Sequence, residues 1–143
     1  FSPNAFKHEC LSHSNFNKVD YVGQLNRLEV KNLLNQSIAG LVLYAPVPNH
    51  IDAQPNKLFE YMSAGIAVIG SNFPLWKDII ETYSCGLCVN PDDPKQIAEA
   101  INYLKTNHDI AKTMGLNGRS AVISTFNWET EQQKLVSFYK EII

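Results

Sequence analysis

The sequence has few cysteines, no excess of basic residues and no long apolar run. Its 143 residues include three cysteines, Cys10, Cys85 and Cys88, an odd number that cannot pair completely within one chain. Such usage is typical of a reducing compartment rather than of a disulfide-stabilised scaffold. Lysine and arginine number 12 against 14 aspartates and glutamates, so the net charge is −2. This balance provides no broad positive field for binding nucleic acid or an anionic membrane.

Two further absences concern membranes and targeting. No apolar run approaches the ~20 residues that a membrane-spanning helix needs. The opening residues FSPNAFKHEC also lack the apolar core of a signal peptide. The chain begins with Phe rather than Met, as expected of a piece of a longer protein. Apolar residues make up 45% and charged residues 18%, which suits a globular fold, and we expect a single domain over residues 1–143.

Strand and helix patterns alternate along the chain. Continuous apolar runs predict strands buried on both faces at 38–46, 66–72 and 86–89. Periodic apolar residues and capping signals predict helices at 26–37, 55–65, 74–84, 94–107, 108–124 and 128–142. Among these signals, Gly65 closes the second helix, and Asp93 caps the fourth with Pro94 in its first turn. Residues 18–25 are a β-rich run closed by Gly23, and residues 47–54 are predicted to be a loop. The alternation predicts an α/β, Rossmann-like fold, in which a parallel sheet carries helices on both faces.

The segment QPNKLFEYMSAG, residues 54–65, contains the strongest functional signal. Lys57 and Glu60 fall on one helix face, while Leu58 and Met62 fall on the opposite, buried face. The helix begins after a strand, at the edge where open α/β sheets bind ligands, and its free N–H groups favour anions. Phosphate bound by the amides and Lys57, with sugar hydroxyls on Glu60, is one interpretation. A solvated Lys–Glu pair is the other, and spacing alone favours it because such pairs are common on helices.

Several segments, taken in order, resemble the group 1 (family 4) glycosyltransferases of GT-B fold. PNKLFEYMSAGIAVIGSN resembles the family's P-x-K-hydrophobic-x-E segment. The other segments are YVGQL, DIIETYSCGLCVNPDDPKQIAEAI and STFNWETEQQKLVSFYKEI, and the resemblance extends from Tyr21 to the end of the chain. It implies the C-terminal, donor-binding half of a GT-B fold, with a closing helix at about 128–142. The acceptor-binding half would precede Phe1.

The resemblance also implies an activity. A member of this family moves a sugar from a nucleoside-diphosphate sugar to a glycan, lipid-linked or small-molecule acceptor, with retained configuration and without a metal. We therefore expect no metal site and no cofactor besides the donor substrate, and no D-x-D motif occurs in the sequence. We expect no nucleic-acid partner, and we expect the fragment to be inactive without its N-terminal half. A cytoplasmic enzyme of polysaccharide biosynthesis is expected, with peripheral association at the inner face of the membrane left open.

Three residues are the candidate catalytic residues by this resemblance. Glu60 matches a carboxylate that binds ribose, and Lys57 matches a lysine near the diphosphate. Asp52 falls where relatives usually carry a glutamate that contacts the donor sugar. A shorter acid therefore stands at that position.

Further donor-binding candidates surround these three. His50 and Gln54 lie in the same loop as Asp52 and are alternatives to it. Gln24 and Leu25 lie where relatives approach the nucleobase. The remaining candidates are at the amino end of the helix: Pro55, Asn56 and Leu58.

Two other classes of protein stay open. A nucleotide-sugar 2-epimerase of GT-B fold would bind a similar donor, although the FNW tail and the K-L-F-E spacing favour a transferase. A non-catalytic Rossmann-like module for protein or metal interaction would use the CGLC motif at 85–88, or HECLSH at 8–13. Because Gly86 leads into a strand and no second C-x-x-C exists, we interpret Cys88 as a core residue and Cys85 as a turn residue.

Three aromatic residues are interpreted as packing residues. Trp76 follows Pro74 at the start of one helix, and Phe126 and Trp128 flank the start of the last helix. Core or inter-domain packing is expected for them rather than ligand stacking, because the final helix in relatives crosses back to the other half.

Overall fold

The fold is built from alternating strands and helices. It is known from a computed structural model that describes the backbone of residues 3–142 and the side chains of residues 7–142. Its strands are β1 Ala39–Val42, β2 Ala67–Ser71 and β3 Gly86–Val89. Its helices are α1 Pro3–Ser12, α2 Arg27–Asn35, α3 Pro48–Ile51, α4 Asn56–Ala64, α5 Pro74–Thr82, α6 Pro94–Thr106, α7 His108–Ser124 and α8 Trp128–Ile142. Among the helices described, none is both long and apolar enough to cross a bilayer.

The chain divides into two compact units, residues 1–30 and 31–143. In the first unit, α1 is followed by a 3₁₀ turn, and the rings of Phe16 and Tyr21 lie 6.3 Å apart. The β-rich run at 18–25 is not a strand, because no described strand pairs with it and Gly23 turns the chain with a φ of 68°. Extended backbone without a partner leaves its N–H and C=O groups to water. The expectation of one domain over residues 1–143 stays a prediction.

The second unit contains a parallel sheet in the order β1-β2-β3. Ala39 pairs with Ala67 in one ladder, and Val68 pairs with Gly86 in the other. All residues of the central strand β2 are buried, as predicted for a strand covered on both faces. The same prediction is wrong for β1. Leu41 is 43% exposed because β1 is an edge strand of the described sheet.

Apolar side chains cover both faces of this sheet. On one face, Val42 and Val68 pack with residues of α4 and α5, including Leu58, Met62, Trp76 and Ile80. On the other face, Ala67, Ile69 and Val89 pack with residues of α6 and α7, namely Ala100, Leu104 and Ala111. The predicted α/β architecture with helices on both faces is therefore confirmed.

The helix ends follow the capping residues in the sequence. Asp93 accepts hydrogen bonds from the amides of Lys95 and Gln96, with Pro94 in the first turn, so α6 begins where predicted. The Gln96 side chain accepts from the Asn90 amide instead of returning to the cap. In the other direction, α4 ends at Gly65, whose φ of 73° is left-handed.

The loop prediction at 47–54 is wrong in its first half. Residues 48–51 form the short helix α3, which Pro48 opens at its first position. Proline there loses no intrahelical hydrogen bond and has the φ that a helix needs. A single helical turn has too few residues for an apolar period to show in the sequence.

Glycines let α7 approach the carboxyl end of α4 closely. A Cβ atom at Gly115 would lie 2.0 Å from the Gly65 carbonyl oxygen, and one at Gly118 would lie 3.2 Å from Met62 Cγ. Both glycines are buried. The backbone of α7 therefore fixes where α4 ends and hence the direction in which its amino end points.

We predict that Gly115→Ala destabilises the protein. In most helices this change adds up to ~1 kcal/mol of stability. Here the added methyl group meets backbone that cannot rotate away, and we expect a loss of ~1–3 kcal/mol. Urea unfolding measures the difference, with Ser120→Ala on the exposed side of α7 as the control. A Gly115→Ala protein as stable as the control would contradict the close approach.

Candidate functional site

The candidate site lies at the carboxyl edge of the sheet. There β1 leads through residues 43–47 into α3, and the loop 52–55 then leads into α4. The neighbouring strand β2 leads into α5 at the same edge. Parallel α/β sheets bind ligands at this edge because their strands end there together.

Ser71 joins the ends of β1 and β2. Its hydroxyl is fully buried, accepts a hydrogen bond from the Tyr44 amide at 3.0 Å and donates to the Tyr44 carbonyl at 3.3 Å. One side chain thus satisfies both backbone groups of a residue that has left the β ladder. The chain leaving β1 is held in place at the first step toward the site.

Aromatic residues hold the segment between β1 and α4. The Tyr44 ring lies 4.9 Å from the His50 ring and 5.5 Å from the Trp76 ring. His50 Nδ1 donates to the Ala45 carbonyl at 2.9 Å. The buried Trp76 donates its indole N–H to the Ala53 carbonyl at 2.5 Å. This segment is therefore packed and hydrogen-bonded rather than free.

The amino end of α4 has no side-chain cap. Its N-cap residue is Pro55, which is buried and whose side chain has no group that could accept a hydrogen bond from the helix. Leu58 donates its amide to the Pro55 carbonyl at 3.1 Å. The amides of Asn56 and Lys57, ahead of it, receive no capping oxygen from a described side chain. This helix end is consequently suited to an external acceptor, and its dipole favours an anion.

Lys57 and Glu60 lie together on the exposed face of α4, as predicted. Lys57 Nζ is 2.7 Å from Glu60 Oε2, and the two side chains are 55% and 48% exposed. The hydrogen bond to Glu60 is the main cause that raises the pKa of Lys57 above its ordinary value of 10.5. The pair therefore places a full positive charge and a carboxylate next to the uncapped end of the helix.

The other predicted residues divide between surface and core. Asp52 ends α3 and is exposed, as are Gln54 and Asn56. The Leu58 side chain is fully buried in the core, so it offers no side-chain contact to a ligand. Gln24 and Leu25 belong to the 1–30 unit, where Gln24 is exposed and Leu25 is half-buried.

Three residues of this edge were absent from the predicted site: Tyr44, Ser71 and Trp76. Trp76 was expected to pack in the core, and it does, but its hydrogen bond to the loop could not be read from the sequence. The sequence did offer one indication that Trp76 lies near the site: it is in the first turn of the helix that follows a strand at the ligand-binding edge. Phe126 packs as expected, 5.1 Å from the Phe59 ring, whereas Trp128 is 66% exposed.

The two cysteines of the CGLC motif are not placed as a redox pair. They are separated by extended backbone, so their Cα atoms are on the order of 10 Å apart, beyond the ~7 Å limit for a disulfide. Burial raises the pKa of both Cys85 and Cys88 to about 11, which keeps the thiols protonated near neutral pH. Within the residues described, no three His, Cys, Asp or Glu side chains gather as metal ligands would.

Three surface cavities of the second unit begin at the opposite, amino edge of the sheet, and one of them extends along a sheet face to Leu41 and Ile69. Their volumes are about 330, 330 and 340 Å³. Each is lined by a residue that precedes a strand: Ser84, Ile38 and Gly65. The candidate site is thus defined by its backbone and side-chain groups, not by these cavities.

Comparison with known proteins gives both a family and a fold. A family model described as "Glycosyl transferases group 1" matches residues 2–121. Spore coat protein SA of Bacillus subtilis (strain 168) is 31% identical over 84 residues, which cover 58% of this chain and 22% of that protein. Sucrose-phosphate synthase from Thermosynechococcus elongatus has a similar fold, with a TM-score of 0.79 at 23% identity, over 97% of this chain and 34% of that chain.

These matches differ in what they establish. The chain spans only 22% of the spore coat protein and 34% of the synthase. The likeness to the synthase shows the fold alone, and it agrees with the α/β fold predicted from the sequence. The family model, in contrast, covers most of the chain. This chain therefore belongs to the group 1 glycosyl transferases.

Proposed function

We propose that this chain is the donor-binding part of a GT-B glycosyltransferase and binds a nucleoside-diphosphate sugar at the amino end of α4. The observation that carries the proposal is the grouping of uncapped helix amides with Lys57 and Glu60 on one exposed surface. Membership of the group 1 family supports it. A nucleoside-diphosphate sugar carries both an anion and a pair of ribose hydroxyls, and this surface offers partners for both.

The diphosphate is assigned to the helix end. The amides of Asn56 and Lys57 point along the helix axis, where the dipole is equivalent to about half a positive charge. Lys57 adds a full charge beside them. When the bond between sugar and diphosphate breaks, negative charge grows on the leaving phosphate oxygen, and these fixed donors stabilise that charge.

The ribose is assigned to Glu60. Its carboxylate accepts two hydroxyl hydrogen bonds when it is ionised, and it lies one turn from the diphosphate site. Without a ligand it is paired with Lys57. Exposed pairs of this kind contribute only ~0.2–1 kcal/mol. The ribose can therefore replace Lys57 as the partner of Glu60, and the diphosphate can replace Glu60 as the partner of Lys57, with little loss of free energy.

The donor sugar is assigned to Asp52, with Gln54 as its neighbour. Both are exposed, whereas His50 uses Nδ1 to hold the Ala45 carbonyl. A carboxylate beside the sugar orients its hydroxyls and stabilises oxocarbenium character at the reacting carbon. We place Gln24 and Leu25 near the nucleobase by resemblance to the family.

The remaining parts of the activity also follow from that resemblance. Transfer would retain the configuration at the sugar and would not require a metal. The acceptor, a glycan, a lipid-linked sugar or a small molecule, would bind to another part of the full-length protein. That protein would be cytoplasmic, and any association with the inner face of the membrane would be peripheral.

We predict that the full-length protein binds at least one of UDP, GDP and ADP sugars, as detected by saturation-transfer NMR. Glu60→Ala should weaken that binding by ~10- to 100-fold, because hydrogen bonds to a charged group are among the stronger ones. Lys57→Ala should weaken it similarly. The matched control is the exposed Lys134–Glu131 pair on α8, which has the same 2.7 Å separation and the same spacing of three residues.

The outcomes separate three cases. Binding lost in the α4 variants but kept in Lys134→Ala supports the proposal. An intact protein that binds none of the three donors refutes it. Conversion of a bound donor without any acceptor identifies a nucleotide-sugar epimerase at the same site.

We further predict that Glu60→Gln lowers the pKa of Lys57 toward 10.5, because the hydrogen bond to the carboxylate is the main cause that raises it. The raised pKa stabilises the folded chain at pH below the ordinary lysine value, and this contribution is lost as the pH rises through the raised value. A ¹³C NMR titration of the Lys57 Cε signal measures the shift. An unchanged titration in Glu60→Gln would show that the two groups do not pair in solution.

A further inference from the structure

Trp76 packs in the core and also makes a hydrogen bond to a loop that is distant in sequence. Its side chain is fully buried, and its indole N–H donates to the Ala53 carbonyl, 23 residues away in sequence. A buried indole N–H needs an acceptor. Its acceptor here belongs to the loop 52–55, which joins α3 to α4. The tryptophan therefore connects α5 to the loop that enters the candidate site.

The Ala53 peptide groups lie between the two parts of that site. On one side is Asp52, and on the other α4 begins at Asn56 after the buried Pro55. The Ala53 amide donates to the His50 carbonyl at 3.3 Å, and its own carbonyl accepts from Trp76. An uncompensated change of the Ala53 ψ angle would change the separation between the Asp52 carboxylate and the helix amides.

The indole itself is held from two sides. The Phe73 ring packs against it at 5.0 Å and the Tyr44 ring at 5.5 Å, both edge to face. Tyr44 is fixed in turn by the two hydrogen bonds of its backbone to Ser71. The donor atom thus has a defined position relative to the ends of β1 and β2.

We propose that Trp76 is a positioning residue for the donor site. It holds the Ala53 carbonyl, and so it sets the distance between the residue assigned to the sugar and the helix end assigned to the diphosphate. This inference rests on the proposed function for the identity of the ligand. It does not rest on that function for the order of the loop, which can be measured without any ligand.

Trp76→Phe is the variant that tests this role, since it removes the donor and keeps a smaller aromatic ring in the core, so a second core variant controls for the lost volume. We expect hydrogen exchange of the Ala53 and Leu58 amides, the two hydrogen-bonded amides at the ends of the loop, to become about tenfold faster, because a hydrogen bond that restrains the loop is lost. Exchange in β2 should change no more than it does in Ile80→Val, a variant of a core side chain that cannot donate a hydrogen bond to the loop carbonyl. UDP, GDP or ADP, whichever the wild-type protein binds, should bind about tenfold more weakly to Trp76→Phe alone.

The outcomes are decisive in each direction. Faster exchange confined to the loop supports the positioning role, even if no nucleotide binds and the proposed function fails. Unchanged loop exchange, or acceleration spread evenly over β2 and the loop, overturns it.

If Trp76→Phe does not fold, the indole N–H of Trp76 is measured by NMR in the folded Trp128→Phe protein, where Trp76 is the remaining tryptophan. A protected indole N–H that shifts when nucleotide is added supports the role, and one that exchanges freely with solvent overturns it.

Discussion

The backbone contact between Gly65 and Gly115 is the constraint on which the geometry of this chain depends. It brings α7 against the carboxyl end of α4, while Leu58 and Met62 hold the helix against the sheet. A helix fixed at one end and along one face has little freedom at its other end. The uncapped amides at Asn56 and Lys57 are therefore directed by packing that lies far from them. Electrostatic stabilisation of this kind is effective only when the dipoles do not need to reorganise.

Burial and exposure are divided between the frame of the site and its charges. The groups that define the frame, Ser71 and Trp76, are fully buried and hydrogen-bonded. The charged groups, Lys57 and Glu60, are about half exposed and paired with each other. If that pair were buried, replacing either partner with a ligand would leave a charge without compensation, which is costly. For the exposed pair, replacing one partner by a ligand costs little free energy. One site can therefore combine a rigid buried frame with charged side chains that change partners easily.

Local signals in the sequence predicted much of this fold, and non-local contacts account for the errors. The cap at Asp93, the terminal Gly65 and the apolar run of β2 each depend on a few neighbouring residues, and each was predicted. The β-rich run at 18–25 would need a partner strand to form a β ladder, and no described strand pairs with it. The position of Lys57 and Glu60 on one helix face followed from their spacing, whereas their assignment to a donor site came from the family resemblance. The contact between Trp76 and Ala53 joins residues from different elements, and a single sequence carries no pattern for it.

The shorter acid at residue 52 gives the loop a particular importance in the proposed site. By its resemblance to the family, Asp52 stands where a glutamate is usual, so in the proposed site its side chain is one methylene shorter and its carboxylate reaches less far from the backbone. A carboxylate that touches the same sugar must then start from a backbone position closer to it. The backbone around Asp52, at the end of α3 and the start of the loop 52–55, would supply that difference, because α4 is fixed by its packing. The hydrogen bond from Trp76 fixes this loop immediately beside Asp52. In the proposed site, the buried Trp76 donor therefore restrains the backbone from which the shorter carboxylate of Asp52 reaches the sugar.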